Sequence, residues 1–215
     1  MNDFTLVGID TGGTFTDIVV LDSDLISGGM RHCKVLSDPS DPSGPIVEGL
    51  QRLGLKNKQL QIILGTTVGT NAVLEGKGAR VAYVSSAGFA DVLNLGRQER
   101  ERVYKLKQPE TRPPVPRSLC LEVSTRITAD GKLLNTASDE ELDQLKARIK
   151  SLDVESVAVN LLFSFLRPQE EHRIAEKLDK AWFISCSSQI LPEVREYERG
   201  VATWLNASVG PVISR

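Results

Sequence analysis

The 215-residue chain carries 26 basic against 28 acidic residues and is 40% hydrophobic, a globular balance without the basic stripe that grips a nucleic acid or the cationic face that lies on a membrane. Its three cysteines, Cys33, Cys120 and Cys186, are odd in number and far apart, so they imply neither a disulfide framework nor a zinc site and suit a reducing cytoplasm. No basic, apolar leader opens the sequence and no apolar run of about eighteen residues interrupts it, which leaves a small molecule or another protein as the partner.

Three strands are expected first, over residues 4–10, 15–22 and 30–36, turning at Gly12-Gly13 and at Ser27-Gly28-Gly29 in an antiparallel meander. A Ser/Asp/Pro loop over 37–44 leads into a helix whose Ile46, Val47, Leu50 and Leu53 share one face. Strand and helix then alternate: strand 61–64, helix 67–75, strand 80–85, helix 89–95. Residues 97–117 are charged, proline-punctuated and aperiodic, and read as an extended excursion outside the core. Beyond them a hairpin is expected over 119–128 and 132–134 around Asp130-Gly131. A helix over 138–152 carries a capping box, Ser138 to Glu141, and an apolar stripe of Leu142, Leu145, Ile149 and Leu152. Strand 156–163, helix 168–181 and strand 183–187 follow, and a last helical run reaches Gly210-Pro211. Alternation with continuously apolar strands argues a layered α/β sheet.

The stretch GIDTGGTFTDIVV concentrates chemistry at its bend. Adjacent Gly12 and Gly13 let a ligand approach the backbone, and a tight turn aims successive N–H groups into an anion-binding concavity, with Thr11, Thr14 and Thr16 adding hydroxyls. Asp10 places a carboxylate beside that concavity, an arrangement that suits a phosphate bridged by Mg²⁺. Neither the Rossmann G-x-G-x-x-G nor the Walker A pattern is present. An ordinary glycine hairpin with strand-forming threonines accounts for the same residues. Further on, Gly65-Thr66-Thr67 ends a strand and opens a helix, presenting free N–H groups and hydroxyls with Asn71 one turn in; a plain threonine N-cap is the simpler alternative. Arg97 and Gln98 suit an acidic substrate group, or a solvated charge run with Arg100 and Arg102.

The turn from Asp10 to Thr14 resembles the first phosphate loop of the actin, hexokinase and heat-shock ATPase superfamily. That resemblance implies a ribonuclease H-like layered α/β fold with an antiparallel N-terminal meander and a mixed sheet. Four segments, GIDTGGTFTDIVV, GTTVGTNAVLEGKGARVAYVSSAGF, NLGRQ and LPEVREYERGVATWLNASVGP, resemble in that order the N-terminal part of the hydantoinase A / 5-oxoprolinase family. By resemblance, residues 1–215 form the N-terminal, ATP-phosphate-binding lobe of a longer cytoplasmic hydrolase that phosphorylates the carbonyl oxygen of a cyclic amide. Asp10, Thr11, Gly12, Gly13 and Thr14, with Thr16 and Asp17, would hold ATP, and Asp10 the Mg²⁺. Thr66, Thr67, Thr70 and Asn71 would line the cleft near the group receiving phosphate, and Arg97 and Gln98 would contact substrate. The implied partners are the C-terminal remainder of the same chain and a hydantoinase B-type subunit, and the lobe alone is expected to be inactive. A ketone carboxylase subunit, a small-molecule kinase of the same superfamily and a non-catalytic assembly lobe are the alternatives. Two positions depart from the family pattern: Leu64 and Phe163 stand where histidine is common, and His32 and His172 are expected to be structural.

Overall fold

The computed structural model describes residues 5–21, 29–38, 41–56, 59–99, 104 and 113–214, which fall into two compact units, Met1–Lys77 and Gly78–Arg215. In the first unit, β1 (Thr5–Thr11), β2 (Phe15–Leu21) and β3 (Met30–Leu36) form the expected meander. The expected turn at Ser27-Gly28 and the strand ends Phe4 and Asp22 lie outside the described residues. Period-two alternation puts Val7, Ile9, Ile18 and Val20 on one face, where helix α1 (Ser43–Arg52) covers them with Ile46 and Leu50, joined by Leu53 just past its end. Each such side chain, fully buried, stabilises the unit by about 1.5–3 kcal/mol. Gly49 makes the close packing possible, since a Cβ there would sit 2.2 Å from Ile18 Cδ1. β4 (Leu60–Thr66) then joins β1 in parallel, giving the order β3-β2-β1-β4, and α2 (Val68–Leu74) follows it. β4 is a sheet edge, and Ile62, Ile63 and Leu64 on it are 47%, 61% and 57% exposed.

The second unit begins with β5 (Val81–Ser86) and α3 (Val92–Leu95), and a 3-10 turn over Arg117–Leu119 leads into β6 (Cys120–Val123). β7 (Arg126–Ile127) and β8 (Leu133–Asn135) make a small hairpin, and α4 (Asp139–Ser151), β9 (Ser156–Asn160), α5 (Gln169–Lys177), β10 (Phe183–Cys186), α6 (Ser187–Ile190) and α7 (Glu196–Ile213) complete the chain. The four longer strands form a parallel sheet in the order β10-β9-β5-β6. β5 and β9 are buried along their whole lengths, as strands covered on both faces must be. Among the described residues no helix is long and apolar enough to cross a membrane. The three cysteines are free thiols, and burial pushes that of Cys186 up to about 12.

Several expected elements are redrawn by tertiary contacts. The strand expected over 119–128 is two strands, β6 in the parallel sheet and β7 in the hairpin. Between them Ser124 gives its N–H and hydroxyl to Glu141, at 2.6 and 2.5 Å. Only half of the expected capping box therefore forms: Ser138 accepts from the Glu141 N–H at 3.2 Å, while the Glu141 carboxylate is spent on Ser124. The excursion over 97–117 returns to the core at its end, where Val115 is buried; residues 100–103 and 105–112 lie outside the described set. The final helix does not stop at Gly210-Pro211. It runs through them to Ile213, and Gly210 lies so close to the Phe183 ring that a Cβ would be 2.2 Å from it.

The strand expected to reach residue 163 ends at Asn160, where a buried polar network takes over the backbone. Glu171, wholly buried, accepts from Leu161 N–H at 2.8 Å, Ser188 N–H at 2.8 Å and the Ser187 hydroxyl at 2.6 Å. Arg199, also wholly buried, donates to Asn160 Oδ1, the Ser187 hydroxyl and the carbonyls of Leu161 and Glu193. Phe163 then turns with φ +56°, a left-handed conformation that no strand contains. Removing one member of such a network strands the others in a water-poor interior. Glu171→Ala is expected to destabilise the second unit by about 3–5 kcal/mol, and the exposed control Lys150→Ala by less than about 0.5 kcal/mol. Urea unfolding followed by tryptophan fluorescence checks this; equal midpoints for the two variants would show that the network carries no stability.

Candidate functional site

At the end of β1 the sheet register sorts the polar residues onto two faces. Asp10 pairs with Asp17 across the hairpin and with Gly65 on β4, so these three share one face, and Lys34 opposite Asp17 extends the row. Thr11, Thr16 and Thr66 share the other face with Ile9 and Leu64. Two carboxylates directly opposite one another repel. Lys34 Nζ neutralises Asp17 at 2.7 Å, while Asp10 is exposed and has no partner among the described residues. A glycine at 65 keeps the space beside it open: a Cβ there would lie 3.6 Å from Asp10 Oδ1. Asp10 thus offers a bare carboxylate, beside a second one, to a cation.

The turn itself is closed by Gly12 N–H donating to the Phe15 carbonyl at 3.0 Å, and the Thr14 carbonyl accepts from Ser37 N–H at 2.9 Å. The N–H groups of Gly13 and Thr14 have no partner among the described residues and sit on an exposed bend, the geometry of an anion-binding concavity. Thr16, fully buried, is fixed by the Ser37 hydroxyl at 2.9 Å and therefore braces the turn instead of lining it. The Thr11 hydroxyl is buried and lacks a hydrogen-bond partner, an orphan at the foot of the same bend.

The second sequence motif converges on the first. Thr67 N–H donates to the Thr11 carbonyl at 3.1 Å, and Asn71 N–H donates to the Thr67 carbonyl at 2.8 Å. Asn71 Nδ2 then lies over the turn, 3.1 Å from where a Cβ of Gly13 would stand. The N–H of Thr67 is consequently not free for a ligand, contrary to the sequence expectation, and α2 is only 7 residues long. What this motif contributes is the Asn71 amide, with Thr66, Thr67 and Thr70 exposed around it. Leu64 is exposed on the face opposite Asp10, so a histidine in its place would start from the side of the sheet away from that carboxylate. Among the described residues no three His, Cys, Asp or Glu side chains cluster to hold a metal on their own. A cation at Asp10 would draw its other ligands from phosphate and water.

Arg97 and Gln98 belong to the second unit. Gly96, at φ +58° and ψ −146°, occupies a conformation that a side chain forbids, and Gln98 is left-handed at φ +56°. Between them Arg97 is turned onto α7, where its Nε donates to Glu198 Oε1 at 2.8 Å. Lys34, Ser37 and Glu198 escaped sequence reading. The first was findable from the meander register; the last lies 101 positions from its partner and no local pattern points to it. Neither histidine joins the site: His32 is exposed on β3, and His172 Nε2 meets Gln189 Nε2 at 2.9 Å.

An orphan hydroxyl gives a test with two readouts. In the intact protein, Thr11→Val is expected to leave folding stability unchanged or raise it by about 1 kcal/mol, since no bond is lost in the free state. Calorimetric affinity for Mg²⁺-tripolyphosphate is expected to fall about tenfold. Unchanged affinity would remove Thr11 from the site.

The profile of the hydantoinase/oxoprolinase N-terminal region matches residues 6–182. The caprolactamase subunit alpha of Pseudomonas jessenii is 30% identical over 97% of this chain and 32% of its own length. The corresponding solved structure, an ATP-dependent caprolactamase, superposes at a TM-score of 0.79 with 28% identity, over 98% of this chain and 32% of that one. 5-oxoprolinase 1 of Arabidopsis thaliana is 32% identical over 95% of this chain and 19% of its length. A nucleotide-free acetone carboxylase, 22% identical over 96% of this chain and 32% of that one, superposes at 0.82 and shares the fold, which is the actin/hexokinase-like one. The chain thus spans about a third or less of the relatives it matches. Profile match and superposition agree that the chain belongs to the hydantoinase/oxoprolinase N-terminal-region family.

Proposed function

We propose that this chain is the phosphate-binding lobe of a larger ATP-dependent enzyme that opens a cyclic amide. The observation that carries the reading is the bend after β1. Two unpartnered N–H groups at Gly13 and Thr14 and a bare carboxylate on Asp10 gather there, and an orphan hydroxyl on Thr11 is buried beneath, on the other face of the strand. Such a set suits a phosphate and its counter-cation together, and nothing in an ordinary hairpin calls for it. The named relatives, a caprolactamase and a 5-oxoprolinase, act on lactams, and the caprolactamase structure is titled ATP-dependent.

When bound, ATP would supply a phosphoryl group to the amide carbonyl oxygen, turning a poor leaving oxygen into a good one, with Mg²⁺ at Asp10 offsetting the phosphate charge. The residues of this chain position and neutralise. Gly13 and Thr14 N–H donate to phosphate oxygens, Gly12 keeps the bend open, and Asn71 covers it with an amide that can donate to the same oxygens. Lys34 is ion-paired with Asp17, so Asp10 is the carboxylate left to face the cation. Thr66, Thr67 and Thr70 flank Asn71 on the acceptor side, while Arg97 and Gln98 serve the substrate. The remainder of a longer polypeptide and a second subunit complete the enzyme, and the three free thiols suit a reducing cytoplasm.

Asp10→Asn is expected to lower Mg²⁺-dependent, substrate-stimulated ATP hydrolysis by the intact protein at least about 100-fold with an unchanged circular dichroism spectrum. Phosphate release at matched Mg²⁺ concentrations is the measurement. Equal rates for variant and parent would end the assignment of this turn.

A further inference from the structure

Lys34 is exposed on β3, and its ammonium is held from two directions, by Asp17 Oδ2 at 2.7 Å and by the ring of Phe15, whose centroid is 5.1 Å away. Phe15 and Asp17 are two apart on β2 and so share the face that Asp10 occupies on β1. Phe15 is also the residue that closes the bend, its carbonyl accepting from Gly12 N–H at 3.0 Å. The Lys34 stem therefore lies across β2 on the side of Asp10, with its charged end toward the bend. On this face of the described strands the other basic side chain is His32, opposite Val19 and two residues further from the bend.

Neither hold on the ammonium is strong. The Lys34 and Asp17 side chains are 55% and 44% exposed, and an ion pair in that setting contributes little. A solvated cation over a phenyl ring adds little more. The ammonium carries three N–H donors, of which Asp17 takes one. A phosphate on the bend would offer several oxygens and more than one negative charge to the same donors, and would otherwise meet the carboxylates of Asp10 and Asp17 with only neutral N–H groups to oppose them.

We propose that Lys34 is a movable phosphate ligand: its ammonium rests on Asp17 in the free protein and swings over the bend to donate to a phosphate oxygen beside the N–H groups of Gly13 and Thr14. Asp17 is then the resting partner that keeps the ammonium close, and the site gains a positive charge of its own besides any metal at Asp10. A compact ammonium on a flexible stem suits such an exchange of partners, whereas a guanidinium forked onto a carboxylate would resist it. The proposal rests on the reading of the bend as a phosphate site and names the residue that supplies its cation.

The test is calorimetric titration of the intact protein with tripolyphosphate in Mg²⁺-free buffer, so that a metal at Asp10 takes no part. Lys34→Met is expected to bind about tenfold more weakly than the parent with an unchanged circular dichroism spectrum. Lys132→Met, which removes a comparable exposed pair with Asp130 in the second unit, is expected to bind as the parent does. Because Lys34→Met also bares Asp17, the deciding comparison is made with Asp17→Asn. That variant frees the ammonium from its resting partner and is expected to bind about threefold more tightly than the parent. Adding Lys34→Met to it is expected to weaken binding at least about tenfold. No loss on that addition would show that Lys34 merely screens Asp17 and would overturn the proposal, as would parental binding that appears only with Mg²⁺; either result leaves the bend as a phosphate site. A parent that binds no tripolyphosphate with or without Mg²⁺ would overturn the reading of the bend and this proposal together.

Discussion

The backbone carbonyl of Thr11 is the point on which the bend after β1 depends. It accepts from the N–H of Thr67, and the hydroxyls of Thr66 and Thr67 approach it at 3.5 Å, from 55 and 56 positions further along the chain. That contact ties the end of β1 to the entry of α2, and it forms only because β4 lies parallel to β1 in the register that sets Thr11 opposite Thr66. With it, Asn71 is delivered over Gly13; without it, the two glycines are the bend of a hairpin. Loss of conformational freedom at the turn is thus met by packing from elsewhere in the unit, and the bend arrives already organised for any ligand it takes.

The two units use polar side chains in opposite ways at the ends of their strands. In the first, the row Lys34, Asp17, Asp10, Gly65 crosses the sheet with one carboxylate ion-paired and one bare, an imbalance that a bound cation would remove. In the second, Glu171 and Arg199 are wholly buried and share Ser187, and between them they bind the backbone after β9 and β10 and the segment before α7. Interior charge is tolerated there because both Glu171 oxygens accept hydrogen bonds and Arg199 is surrounded by carbonyl, amide and hydroxyl oxygens. The same network fixes the N-terminal end of α7, and with it the first-turn residue Glu198 that meets Arg97.

Local chemistry made much of this readable. Glycine turns and alternation located the meander, capping at Ser138 located α4, and the order of the polar motifs identified the family. The failures share one cause, contacts that are close in space and distant in sequence. An apolar run over 156–163 reads as strand throughout, but Leu161 and Leu162 give their N–H groups to Glu171 and to Ser86, so the ladder ends at Asn160. Gly210-Pro211 reads as a stop, yet helix α7 needs a glycine there to pass the Phe183 ring. The glycine bend after β1 was legible because its parts are consecutive; the Thr67 amide was misread as free because its acceptor lies in another strand.

β4 carries a consequence of its own. Among the described residues it ends the first sheet with an open row of backbone donors and acceptors, and Ile62, Ile63 and Leu64 put apolar side chains on both of its faces. No lysine or proline interrupts the strand to discourage lateral pairing. An exposed apolar edge of this kind is a template for lateral strand addition, so self-association is the liability to expect of this unit when it is handled by itself.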